Sequence, residues 1–134
     1  MISAAKAFTA NGVSLNGAAL STAQLYPLTQ PRGSLFGLEA GNPVRTDVAY
    51  QGPVSRFGTP QDPMVGDVIG GTITFGGGVA LARGATIVGG VGVSGDTACA
   101  DDEVVRDLRR RLRLVPSASD AGSFGGGANQ HPAC

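Results

Sequence analysis

Hydrophobic and polar positions along the chain predict three helices, over 3–15, 21–29 and 97–113. Ser3 suits the N-cap of the first helix, because its hydroxyl can accept a hydrogen bond from a backbone N–H of the first turn. Pro27 lies inside the second helix and limits its regularity. The expected buried face of the first helix consists of Ala4, Ala5, Phe8, Ala10 and Val13.

The helix over 97–113 has the strongest pattern, at both of its ends. Asp96 or Thr97 can cap its beginning, acidic residues crowd its first turns, and arginines crowd its last. That order complements the helix dipole, which favours negative charge at the N-terminus and positive charge at the C-terminus. The expected buried stripe consists of Val104, Val105, Leu108 and Leu112.

Two glycine-rich apolar segments within 71–94 predict an antiparallel β-hairpin. Residues 71–83 have the alternation of a strand, interrupted by the glycines at 76–78, and residues 85–94 suit its partner. The tight turn falls around Gly84. Glycines inside a strand indicate either a bend of the sheet or the close approach of another group, and both interpretations stay open here. Helices and hairpin together predict an α+β fold.

A long segment rich in turn residues, 30–70, separates the second helix from the hairpin. It contains five of the eight prolines of the chain. A loop of this length in a compact domain is usually functional or disordered, and its apolar residues indicate that this one packs on the domain. We expect a single domain over 1–115, followed by a flexible tail rich in Gly and Ser over 116–134.

Composition narrows the class of partner. The ten basic and ten acidic side chains balance, and the chain has no Trp, so neither nucleic acid nor an anionic membrane surface is expected to bind. The sequence contains no apolar run of about 18 residues, so no membrane span is expected. Its start lacks the pattern of a signal peptide, which places the chain as written in the cytoplasm. A true start further upstream would leave a periplasmic or secreted location open.

Few side chains suit metal or nucleophile chemistry. Cys99, Cys134 and the single histidine, His131, supply at most three ligands, whereas a structural zinc site needs about four. The two cysteines are therefore either free thiols or one disulfide. Residues 90–95 match G-x-G-x-x-G, but they lie in an antiparallel hairpin, so close strand–helix packing explains them better than a dinucleotide site.

Several segments, taken in order, resemble the GlcG/HbpS family of small haem-binding proteins. Gly76-Gly-Gly-Val-Ala-Leu, followed by Ile87-Val-Gly-Gly-Val-Gly-Val-Ser-Gly-Asp-Thr, is similar to the family's glycine-rich core motif. The Pro-rich segment and the ending His131-Pro-Ala-Cys resemble a subgroup with a long insert. The family normally has a helix and a hairpin before its alanine-rich helix, with which this chain begins. The resemblance therefore implies an N-terminally truncated member that lacks the first strands, through a start codon assigned too late or a decayed gene copy.

The resemblance implies an α+β domain with a five-stranded antiparallel sheet, assembly into homo-oligomers, and haem as the cofactor. We expect a haem-binding module for uptake, storage or sensing, whose ligand is haem or a similarly flat apolar molecule. Two alternatives stay open: a haem-degrading or other cofactor-linked enzyme, and a non-functional fragment. The sequence has no evident acid–base pair, so we assign no catalytic residue and prefer binding to catalysis.

The expected ligand pocket combines the glycine region of the hairpin with the Pro-rich loop. Its candidate residues are Phe75, Gly76, Gly77, Gly78, Ser94, Gly95, Tyr26 and Phe57. Imidazole, thioether and phenol groups all serve as ligands of haem iron. The candidate axial ligands are accordingly His131, Tyr26, Tyr50 and Met64.

Overall fold

The computed structural model describes residues 1–117, and this part of the chain has the predicted α+β fold. Each predicted helix is found within two residues of its expected bounds. Two short 3-10 turns, Leu38–Gly41 and Val54–Arg56, lie in the long loop. The elements are α1 (Ile2–Val13), α2 (Thr22–Thr29), α3 (Thr46–Ala49), β1 (Gly78–Arg83), β2 (Thr86–Gly92) and α4 (Ala98–Arg111).

The two strands form the expected antiparallel hairpin. They pair from Gly78 opposite Gly92 to Arg83 opposite Thr86. Gly84 in the connecting turn has a φ of +60°, a left-handed conformation that tight hairpin turns require and that glycine adopts without steric cost. The turn is therefore where the sequence placed it.

The first strand is shorter than predicted. β1 begins at Gly78, and residues 71–77 lie outside it. The backbone N–H of Ile73 donates to the hydroxyl of Thr9 in α1, at 3.0 Å, instead of to a neighbouring strand. Gly77 has a φ of +112°, which interrupts the extended backbone immediately before β1. Alternation of apolar residues could not reveal that this segment bonds to a helix.

α1 lies close against one face of the hairpin because that face has almost no side chains. Gly78, Gly90 and Gly92 lie on it, and a Cβ added to any of them would overlap a backbone carbonyl oxygen of α1. Glycine permits this approach because it has no Cβ. Gly90 and Gly92 of the G-x-G-x-x-G match thus serve close strand–helix packing, as expected, whereas a Cβ on Gly95, the third glycine, would meet nothing within 4 Å.

The predicted buried face of α1 is correct for Ala5 and Ala10 and wrong for its other three residues. Ala4, Phe8 and Val13 are only half-buried. Ser3 is not the N-cap, because the helix begins one residue earlier, at Ile2. The buried residues of the helix are Ala5, Lys6, Thr9 and Ala10.

Lys6 is the least expected member of this core, with a fully buried side chain. Its Nζ donates to Asp101 Oδ2 at 2.8 Å and to the carbonyl oxygen of Val93 at 2.9 Å. The same Nζ lies 5.0 Å from the centre of the Phe75 ring. An ammonium ion is stable in a protein interior only with such partners. This buried ion pair fixes α1 to the beginning of α4.

α4 begins where the sequence predicted. Thr97 caps it, and the Thr97 hydroxyl accepts from the backbone N–H of Ala100 at 3.2 Å. The predicted buried stripe is wrong in part: Val105 is fully buried, but Val104 and Leu112 are about half exposed, at 54% and 49%. Leu108 is half-buried.

The core-facing side of α4 is mainly charged. Asp102 accepts from Arg106 Nε at 2.7 Å and from the backbone N–H of Gly77 at 3.3 Å. Arg109 is buried and donates to the carbonyl oxygen of Ala80 in β1 at 3.3 Å. A pattern that looks for apolar stripes misses a face whose buried groups are held by ion pairs and backbone carbonyls.

Candidate functional site

Two adjoining cavities lie beside α1. Their volumes are about 390 Å³ and about 330 Å³, within the usual size of small-molecule sites. Ala4 and Ala7 of α1 line both cavities, and so do Asp62 and Met64 of the long loop. We call the two cavities together the α1 groove, defined by these four shared residues.

The first cavity extends to β2. Gly90, Val91 and Gly92 form that side of it, and Phe57 lies across from them in the long loop. Because two of the three strand residues are glycines, this wall is smooth and largely backbone.

The strand pairing determines the directions of the backbone N–H and C=O groups along this wall. Ala80 in β1 donates its N–H to Leu20 at 3.4 Å, away from β2. Its partner in the register, Gly90, therefore also directs its N–H and C=O away from the hairpin, and Gly92 does the same two residues on. Within residues 1–117 no third strand pairs with this edge. The first cavity thus has both backbone donors and acceptors on one side.

The second cavity is more apolar. It is bounded by Phe8 of α1 and by the end of the long loop, with Asp67 as its second carboxylate. Its apolar loop residues are Val65, Val68 and Ile69. An apolar groove with a few polar groups is the usual form of a site for a flat hydrophobic ligand.

We call residues 57–64 the cavity loop. This part of the long loop contributes Phe57, Asp62 and Met64 to the lining of the groove. Phe57 is 36% exposed and Met64 is half-buried. Asp62, only 9% exposed, accepts from the backbone N–H of Gly58 at 2.7 Å and from that of Met64 at 2.9 Å. These two hydrogen bonds lower the pKa of Asp62, because they stabilise its ionised form. Asp62 is therefore an acceptor, not a proton donor, near neutral pH.

The glycines predicted to line the ligand pocket lie apart from the groove. Gly76, Gly77 and Gly78 are all buried. A Cβ on Gly77 would come within 2.7 Å of Lys6 Nζ, and one on Gly78 within 2.6 Å of Thr22 Cγ2. Their bare backbone is in contact with the chain itself.

The other predicted pocket residues are dispersed. Phe75 lies beneath the Lys6 ammonium, and Tyr26 is half-buried on α2. Ser94 and Gly95 are exposed in the connection to α4. Among the predicted pocket residues, Phe57 alone lines either cavity of the α1 groove. The pocket stays a prediction for the others.

The candidate axial ligands are equally separated. Met64 lines the groove, and Tyr50 is 61% exposed just after Ala49, a residue of the first cavity. His131 and Cys134 lie outside the described residues, so the disulfide with Cys99 stays a prediction. In the part of the chain that the structure describes, no group of three or more His, Cys, Asp or Glu residues could hold a metal ion.

Sequence reasoning missed Asp62 and the two alanines that line the groove. The signal for Asp62 was its position in Gln61-Asp-Pro, which indicated a turn but not which backbone donors its carboxylate would meet. Ala4 was predicted to be in the core. It lines the groove instead, because Ala5 and Lys6 are the residues of this turn of α1 that are buried.

Fold and groove together define a small α+β domain in which a helix lies on a glycine-faced hairpin and a long loop covers an apolar groove beside that helix. The family model described as haem degrading protein HbpS-like matches residues 1–109. The chain belongs to the HbpS-like family, which confirms the resemblance found in the sequence.

Comparisons with curated proteins and with solved structures give no significant match. The family description connects the chain with haem-related function. It does not by itself establish whether this chain binds haem or degrades it. In residues 1–117, every helix is too short or too polar to cross a membrane.

Proposed function

We propose that this protein binds haem, and that the α1 groove is the site. The observation that carries the proposal is the position of Met64, which lines both cavities and places a thioether, an established type of haem-iron ligand, at their junction. The family description supports haem as the ligand class.

The residues of the groove fit haem in most respects. Ala4 and Ala7 give α1 a flat surface, Phe57 offers an aromatic side chain, and the second cavity is lined mainly by apolar side chains. When bound, haem would supply redox-active iron. The chain's own residues would exclude water from its faces and hold it by packing and by the Met64 sulfur.

The polar groups of the groove restrict the orientation of the ligand. The ionised Asp62 repels a carboxylate where the two cavities meet, whereas the outward N–H groups of Gly90 and Gly92 can donate hydrogen bonds to one in the first cavity. Gly90 and Gly92 would therefore hold acidic groups of the ligand, and Val65 and Val68 would contact an apolar part of it.

A hemin titration tests this proposal. We expect saturable binding near one haem per chain, with a sharp Soret band whose position changes in Met64→Leu, which keeps the apolar volume but removes the sulfur. Affinity should fall roughly two- to tenfold in Phe57→Ala. Phe36→Ala is the matched control, because Phe36 is 67% exposed and lines neither cavity. A broad response without saturation, unaffected by either groove variant, would rule out the site.

Haem degradation is the second candidate function, because the description of the family names it. Within the groove, Asp62 is held ionised and does not supply a proton. Turnover therefore needs an acid from elsewhere or from solvent. Loss of the Soret band of the loaded protein with reductant and oxygen, faster than for free hemin and with release of a ring-opened product, would establish the enzyme in place of the binding module.

We further propose that the protein assembles into homo-oligomers. Support comes from large apolar side chains exposed on and after α4: Val104, Leu112 and Val115, at 54%, 49% and 46%. Large apolar side chains left in contact with water favour an interaction surface on this part of the chain. Light scattering of the titration samples gives the mass, and a mass of one chain at all concentrations would contradict the assembly.

A further inference from the structure

We infer that Asp62 is the positioning residue of the α1 groove: its carboxylate holds the two ends of the cavity loop so that Phe57 and Met64 face the ligand together. The inference rests on the proposed haem function and specifies how that site is kept in shape.

The two hydrogen bonds of Asp62 lie where they would matter most. One joins Asp62 to the backbone N–H of Gly58, directly after Phe57, and the other to that of Met64. A single side chain therefore constrains the backbone beside both groove-facing side chains. Hydrogen bonds from backbone N–H to an ionised carboxylate are among the stronger ones in proteins.

The rest of the cavity loop offers little to replace these bonds. Its other hydrogen bonds join near neighbours along the loop, such as the Thr59 hydroxyl to the carbonyl oxygen of Arg56 at 2.6 Å. Pro60 and Pro63 have no backbone N–H to donate. Gly58 has a φ of +74°, so the loop turns sharply at the residue whose N–H Asp62 accepts. The carboxylate of Asp62 therefore supplies the side-chain hydrogen bonds that connect the backbone beside Phe57 with that of Met64.

Asp62 is also placed to act indirectly. It lines both cavities, but it is 9% exposed and its two oxygens are engaged by backbone donors, so the ligand does not need to contact it. Its charge disfavours acidic groups of the ligand nearby, but its effect on iron ligation would pass through the position of the Met64 sulfur. Loss of iron ligation therefore reports the positioning role, and an effect shared with another carboxylate variant of the groove reports the charge.

The test compares Asp62→Asn with Asp67→Asn. Both substitutions remove one negative charge from the wall of the second cavity, but Asp67 is exposed and accepts neither loop hydrogen bond. In the haem-free protein, we expect amide exchange of Gly58 and Met64 to speed up about tenfold or more in Asp62→Asn and to stay unchanged in Asp67→Asn. Circular dichroism checks that both variants fold.

The loaded protein supplies the readout that a purely structural role would not change. We expect Asp62→Asn to lose most of the visible absorption signature of thioether-ligated ferric haem and about tenfold in hemin affinity. Asp67→Asn shows what the loss of one charge from the same cavity wall does to the affinity, and only Asp62→Asn should lose the thioether signature. If Asp62→Asn retains both the signature and the slow exchange, the positioning role is overturned while haem binding stands. If the wild-type chain does not bind hemin saturably, the proposed function fails, and the positioning role for haem fails with it, whatever the amide exchange shows.

Discussion

α1 makes two contacts of opposite kinds, one with the hairpin and one with the cavity loop. Towards the hairpin, backbone meets backbone, because Gly78, Gly90 and Gly92 leave no side chains between helix and strands. Towards the cavity loop, side chains and empty space intervene, and about 390 Å³ stays open in the first cavity alone. The same helix is thus closely packed on its hairpin side and lines an open cavity on its cavity-loop side.

The difference indicates how the domain divides stability from binding. The hairpin side also contains the buried Lys6–Asp101 pair, whereas the carboxylate of Asp62 in the cavity loop is held by backbone N–H groups of that same loop. A rigid packed centre can position a groove without taking part in it. Substitutions in the cavity loop should therefore change ligand affinity more than the free energy of unfolding. Substitutions where α1 packs on the hairpin should change the free energy of unfolding more than ligand affinity.

The largest expected effect is from Lys6→Met, which removes the buried cation and leaves Asp101 charged and 3% exposed. Breaking one partner of a buried ion pair costs about 3–5 kcal/mol. The free energy of unfolding, measured by urea denaturation, should fall by that amount. Arg45→Met is the control, because the Arg45–Asp47 pair is 53% and 67% exposed and solvent screens it, so its loss should hardly change the free energy of unfolding.

A second variant isolates the charge. In the unmodified chain, the backbone N–H of Asp96 donates to Asp101 Oδ1 at 3.1 Å. In the double variant Lys6→Met with Asp101→Asn, the neutral amide oxygen can still accept this hydrogen bond. The double variant should be more stable than Lys6→Met alone. If the two are equally unstable, Lys6 acts by filling space and not by its charge.

The next effect is from Gly92→Ala, which tests the backbone contact directly. The new Cβ would overlap the carbonyl oxygen of Ser3 and come within 2.8 Å of the backbone nitrogen of Ala7, so strand and helix must separate. Overpacking of this kind costs about 1–3 kcal/mol. Gly95→Ala is the matched control, because a Cβ there meets nothing within 4 Å. Equal unfolding midpoints for the two variants would mean that α1 is not held by the glycine face.

The sequence was most informative where a single residue type dictates conformation. The turn at Gly84 was predicted, and Thr97 was one of the two predicted caps of α4, because glycine and threonine satisfy those positions locally. The helices followed from their periodicity and end signals.

It failed where partners far apart in sequence decide burial. Lys6 and Asp101, 95 residues apart, each have the pattern of a solvated surface residue, and only their contact makes them core. Residues 71–77 have the pattern of a strand, but the hydroxyl of Thr9 occupies one of its donors. The groove was missed for the same reason: Phe57 and Met64 were both candidates, but their shared cavity depends on a turn and on the packing of α1.

The smallest effect compares two carboxylates by pH and salt. The pKa of Asp62 is lowered by hydrogen bonds from the backbone N–H groups of Gly58 and Met64, and that of Asp107 by its hydrogen bond with Arg111 and its attraction to Arg111 and Arg110. Both shifts are downward, so each carboxylate stabilises the fold above the ordinary Asp pKa of about 3.9 and loses that contribution as pH falls through its lower folded value.

Salt separates the two. Added salt screens the exposed Asp107–Arg111 pair, so the pKa of Asp107 should rise towards its ordinary value, whereas that of Asp62 should change little because fixed backbone dipoles hold it. Carboxyl chemical shifts, followed by NMR against pH at low and high salt, measure both values in one sample. A salt response at Asp62 as large as that at Asp107 would mean that side-chain charges, not the backbone of the cavity loop, hold its carboxylate. Asp62 in the groove and Asp107 on the exposed surface of α4 would then be held in the same way.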